Sequence, residues 1–95
     1  MSHPDRQRAV AALGRRAYAG DADATRSIAE LASHAEPWRR WLAALAHRAA
    51  CDGGALRDAT RDPSRWVRSR AWSGLLAVGT DEQIAAAIQA IQDTR

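Results

Sequence analysis

The stretch that decides the fold is Asp62-Pro63-Ser64-Arg65-Trp66-Val67-Arg68-Ser69-Arg70-Ala71-Trp72-Ser73-Gly74-Leu75-Leu76-Ala77-Val78-Gly79. Val67, Ala71, Leu75 and Val78 recur at spacings of four, four and three, which puts them on one face of an α-helix. Both ends are marked. Asp62 suits the N-cap, Pro63 the first helical position, where its missing N–H is not needed, and Gly79 a left-handed C-cap. The frame recurs: Pro4 precedes Gly20, Pro37 precedes Gly53 and Pro63 precedes Gly79, each by 16 residues. Three copies of one helix imply a repeat protein.

Outward from this stretch, a first helix is expected from about Pro4 to Ala19, apolar at Val10, Leu13 and Ala17. A second, capped by Asp21, runs from about Ala22 to Ser33 with Ile28, Leu31 and Ala32 inward. The third starts at Glu36-Pro37 and reaches about Ala50. Its stripe of Trp38, Leu42, Leu45 and Ala49 is widened by Trp41, Ala44 and Ala46, so it should be buried on two sides. The fourth, from about Gly54 to Thr60, is short and anchored by Leu56 and Ala59. The opening stretch is the fifth, with Trp72 and Leu76 as a second stripe. Thr80-Asp81-Glu82-Gln83 is a capping box for a last helix that aligns Ile84, Ile88 and Ile91. One-sided helices at the ends and two-sided ones within describe a single domain over residues 1–95. It stacks three helical hairpins at approximately 4–35, 36–61 and 62–95.

Composition bounds the function classes. The chain of 95 residues holds 23 Ala, no Phe, one Tyr and four Trp, and all 14 basic residues are Arg. Such usage points to a GC-rich coding sequence, so the Arg content is partly codon bias, and the net charge is only +3. Cys51 is alone, which excludes an internal disulfide and fits a reducing compartment. No apolar run approaches a membrane span. A soluble, cytoplasmic protein without a membrane partner is expected.

Asp62-Pro63, Val67-Arg68, Ala71 and Leu75 resemble the signature of HEAT-type repeats, including the short HEAT-like repeats of bacteria, with Trp66 adding one residue before Val67. Glu36-Pro37, Arg40, Ala43 and Gly53 resemble a second copy, and Pro4, Arg8, Ala11, Ala12 and Leu13-Gly14 a first. The resemblance implies an all-α fold, a short right-handed α-solenoid of six helices. It also implies that second helices line the concave side and first helices the convex side. A tetratricopeptide arrangement, prompted by Leu13-Gly14 and Tyr18, is the alternative, but its constant period of about 34 residues is not met.

Catalytic chemistry finds little support. His47 and Cys51, four residues apart, could face one ligand, but zinc needs about four ligands, or three plus water. His3 and His34 are the only other histidines, so neither metal nor cofactor is expected. Cys51 and Ser73 lie in no nucleophile motif, no phosphate-binding loop is present, and Gly53-Gly54 fits a helix end and turn. The chain should not be an enzyme. Ala-rich helices bury little area, so large aromatics must fill the gaps between them. The stripes assign Trp38, Trp66 and Trp72 to the core and leave Trp41 divided between core and partner contact.

Charge alternates along the chain. Residues 4–20, 37–51 and 63–79 each sum to +3, while 21–36, 52–62 and 80–95 sum to −3, −1 and −2. First helices are basic and second helices acidic. The expected function is a non-catalytic protein–protein interaction or scaffold module, suited to being one domain of a larger chain. Trp41, Asp23, Glu30, Asp58 and Glu82 are its candidate contacts for another protein or peptide segment. The alternative partner is nucleic acid, held by a basic face of Arg39, Arg40, Arg65 and Arg68. Alternating charge could instead serve only to join adjacent helices. Oligomeric state is left open.

Overall fold

A computed structural model describes residues 3–93 as six α-helices joined by short turns, with no strand among the described residues. They are α1 (His3–Tyr18), α2 (Ala22–Ala32), α3 (Pro37–Ala49), α4 (Gly53–Ala59), α5 (Arg65–Val78) and α6 (Asp81–Asp93). Each expected helix is present, with bounds shifted by no more than three residues.

The turns inside the hairpins are built from local chemistry. After α1, Gly20 adopts φ +100°, its N–H donates to the Ala17 carbonyl and that of Asp21 to the Arg16 carbonyl. This is the Schellman closure, which satisfies carbonyls that the helix leaves open. Asp21 then caps α2, its Oδ1 accepting from the N–H groups of Asp23 and Ala24. The end of α3 repeats the device 31 residues later. Cys51 takes φ 54°, its N–H donates to Arg48, that of Asp52 donates to His47, and Asp52 caps α4 through the N–H of Ala55. The left-handed residue is therefore Cys51 and not Gly53, which lies inside α4. Before α6 the capping box forms as expected: Thr80 N–H donates to Gln83 Oε1 at 2.9 Å, and Gln83 N–H to Thr80 Oγ1 at 3.1 Å.

The start of α5 differs from expectation. Asp62 and Pro63 stay in the turn, because Asp62 Oδ1 accepts the N–H of Ser64 at 2.8 Å, and Ser64 becomes the N-cap. Glu36 before α3 has nearly the same backbone, φ −80° and ψ 123° against −83° and 125°. Gly79 is extended (φ −74°, ψ 157°) and not left-handed; it is required there for space. A Cβ at Gly79 would lie 2.6 Å from the Leu75 carbonyl oxygen.

The helix α3 packs against α1, α2, α4 and α5, which accounts for its broad apolar surface. Leu42, Ala43, Ala44 and Ala46 are buried, and Gly14 of α1 sits against the Ala46 carbonyl where any Cβ would collide. One core cluster joins Ala44, Leu56, Leu75 and Ala87, with Trp72, Val78 and Ile84 packed around it. Leu56 is fully buried and anchors the short α4, facing Gly74 of α5. The first helices α1, α3 and α5 form one row. In the second layer α4 packs on α6, but α2 makes no close approach to α4, so a groove opens between them. The expected second stripe of α5 holds only in part. Trp72 is half-buried, whereas Leu76 is exposed because no helix covers that side.

Candidate functional site

The indoles sort differently from their sequence assignment. Trp66 is 72 % exposed and Trp38 46 %, so neither fills the core. The cause is angular. Val67 points inward, and Trp66, one residue or about 100° away, heads a row with Ser69, Arg70 and Ser73 at helical spacing. That row is polar, and the core stripe of α5 runs through Val67, Ala71, Gly74 and Leu75.

Trp38, Trp41 and Trp66 meet with Pro37 around one open hollow on the first-helix side. Two further hollows adjoin it through Trp41. One is bordered by His3, Arg6 and Gln7 of α1, the other by Ser69, Arg70 and Ser73 of α5. Guanidiniums stack on two of the rings: Arg39 at 4.8 Å and Arg6 at 5.7 Å over Trp38, and Arg70 at 4.7 Å over Trp41. Trp38 Nε1 donates to Glu36 Oε2 at 2.7 Å, and Arg39 pairs with Glu36 at 3.4 Å without hydrogen-bond geometry. The Nε atoms of Arg39 and Arg70 are buried and make no hydrogen bond among the described residues.

The basic face named from sequence is divided. Arg40 and Arg68 are committed to the fold: each donates to carbonyls five and six residues back, His34 and Ala35 for Arg40, Asp62 and Pro63 for Arg68. Arg40 also pairs with Asp62, and only 16 % of its side chain is exposed. Arg65 is exposed, and Arg39 is half-buried on Trp38.

No known family, curated protein or solved structure matches this chain.

The acidic candidates lie elsewhere. Asp23, Glu30, Asp58 and Glu82 are all exposed, on α2, α2, α4 and α6, while the hollows bordered by Trp41 take residues of α1, α3 and α5 only. Asp23 pairs with Arg26 at 3.1 Å and Asp58 with Arg57 at 3.4 Å. Trp41 and these carboxylates thus do not form one site. Asp58 borders the groove between α2 and α4, whose floor is Ala43, Ala44 and His47 of α3. His47 is mostly buried. Desolvation lowers its pKa, and the Asp52 carboxylate, 3.9 Å away, pulls weakly the other way. Cys51 lies just beyond the end of α3, exposed, and with His47 it borders a hollow between the ends of α1 and α3 and the α2 helix. No group of three or more His, Cys, Asp or Glu among the described residues is placed to hold a metal ion. No helix of the described residues is long and apolar enough to cross a membrane.

A sequence signal for the tryptophan face did exist. Trp66 heads a polar row, whereas Trp72 lies beside an apolar one.

Proposed function

We propose that the chain is a non-catalytic protein–protein interaction module, built as a short right-handed solenoid of three HEAT-like hairpins, and that it binds through the tryptophan face of α1, α3 and α5. The observation that carries this is Trp66, a 72 % exposed indole beside Trp38 and Trp41 around one hollow. Burying such a ring stabilises a core by several kcal/mol, roughly 3–5 by truncation data, and Trp with Arg is the composition of interface hot spots. The repeat architecture is supported by the matched turns before α3 and α5, where Arg40 and Arg68 hold equivalent carbonyls 28 residues apart. The row of α1, α3 and α5 supports it as well. Of the earlier candidates, Trp41 belongs to this site. The nucleic-acid alternative is left with fewer cations, since Arg40 and Arg68 are occupied within the chain.

The test is photo-crosslinking in an extract of the native host, with a reactive side chain replacing either Trp66 or Asp58. A protein captured at position 66 and not at 58 supports the module. Capture at 58 alone returns the site to the acidic helices, and DNA or RNA captured at position 66 replaces the module with a nucleic-acid binder.

A further inference from the structure

The three hollows of the first-helix face run end to end and share Trp41. The middle one, of about 560 Å³, is walled by Pro37, Trp38, Trp41 and Trp66. Arg6 stands in the hollow at one end and Arg70 in that at the other, and among the described residues no carboxylate lines any of the three. The groove between α2 and α4, by contrast, is bordered by Asp58 and by Asp62 already paired with Arg40.

We propose, building on the interaction-module reading above, that this track takes an acidic peptide segment. One bulky apolar side chain sits on Trp66, and carboxylates on either side of it reach Arg6 and Arg70. Trp66 is the ring with a face to offer, because the guanidiniums that stack on indoles here lie over Trp38 and Trp41. A guanidinium lying over a ring keeps its in-plane donors directed sideways, where a carboxylate can accept them. Arg70 pairs with no carboxylate among the described residues. The cations at the two ends and the apolar middle complement anion, apolar anchor and anion in sequence.

A nucleic-acid strand fits this face less well. Arg40 and Arg68 are bound to turn carbonyls and Arg39 is paired with Glu36, which leaves Arg6 and Arg70 on the track and Arg65 exposed beside Trp66. Neutralising about three phosphates releases few counterions and yields little affinity.

The test uses the whole chain and three labelled peptides, each with a central phenylalanine flanked by glutamates, serines or arginines. Oligo-dT and sedimentation of the chain alone complete it. The glutamate peptide is expected to bind about tenfold or more tighter than the serine peptide, and the arginine peptide weakest. Trp66→Ala, Arg6→Glu, and Ser in place of the peptide's Phe should each weaken it by about tenfold or more. Trp66→Ala must keep the wild-type melting point, and Arg6→Glu, at an exposed site on α1, provides a second variant with little bearing on folding. Equal binding of the three peptides, lost in Trp66→Ala, overturns the acidic partner and leaves the tryptophan face a protein-binding surface. If no peptide depends on Trp66, both proposals fall. Oligo-dT binding tighter than the glutamate peptide, or a dimer dissolved by Trp66→Ala, assigns the face to nucleic acid or to a second copy and overturns the inference.

Discussion

Arg40 and Asp62, 22 residues apart in sequence, form a two-pronged ion pair: Nε donates to Oδ2 at 2.8 Å and Nη2 to Oδ1 at 3.1 Å. The same guanidinium, through Nη1, donates to the carbonyls of His34 and Ala35. One side chain therefore fastens the turn before α3 to the turn before α5, and it holds those two helices in register. Planar, five-donor geometry is needed for this, so lysine could not replace it.

Acid should release this fastening. Burial pushes the Asp62 carboxyl up, but the hydrogen bonds from Arg40 and the Ser64 N–H, with the charges of Arg40 and Arg68, outweigh it and hold the carboxyl below the usual range. A depressed folded-state pKa gives stability that is complete above the ordinary aspartate value, about 3.9, and lost as pH falls through it toward the folded value. Arg40→Gln should lower stability at neutral pH and flatten this acid limb, measured by denaturant unfolding from neutral pH to about pH 3. A limb of unchanged depth would show that Asp62 does not depend on Arg40.

The two indoles of α5 should respond in opposite ways. Trp66→Ala is expected to leave unfolding free energy within about 0.5 kcal/mol, as at an ordinary surface site. Trp72→Ala should remove about 2–3 kcal/mol, less than the ~3–5 of a fully buried ring, because Trp72 is half-buried against the core cluster. Thermal unfolding of the pair decides it; equal losses would contradict the burial pattern.

The matched turns predict a matched pair of substitutions. At Gly20, φ +100° favours glycine, and Gly20→Ala should cost about 1 kcal/mol. Cys51 holds φ 54° with a side chain present, so Cys51→Gly should stabilise by up to about 1 kcal/mol, partly offset by the freer unfolded chain. A Cys51→Gly variant that melts lower than wild type would mean that the thiol contributes more than the backbone strain removes.

His47 introduces a second pH dependence. Its pKa is lowered by burial, so the folded chain binds this proton more weakly than the unfolded one. The sign is opposite to stabilisation by a charged histidine: full stability stands above the ordinary value of about 6.5 and falls as pH drops through it, levelling off below the lowered folded value. His47→Gln should flatten the stability curve between about pH 7.5 and 5. Observing the His47 ring titrate near its ordinary value by NMR would overturn this.

Six helices were legible in the residues because helix signals are local. Stripes at spacings of three and four, Asp21 as a cap and the Thr80–Gln83 box depend on neighbours within about one turn. Leu56 could likewise be named as the anchor of α4, since that helix offers little else to bury. What tertiary structure alone decided is which face each stripe meets. The polar row of Ser69, Arg70 and Ser73 marks the side of Trp66 in the sequence, but only the position of the neighbouring helices half-covers Trp72 and leaves Leu76, four residues further on, in water. The same holds for the arginines. The charge sums of the first helices put Arg40 and Arg68 on a basic face, but their acceptors are turn carbonyls and an aspartate that folding brings alongside. The opening between α2 and α4 was also unreadable, because it follows from how hairpins stack and not from any residue within them. Sequence determined the elements through short-range backbone chemistry, and packing determined the surface, because exposure is a property of a side chain's neighbours in space.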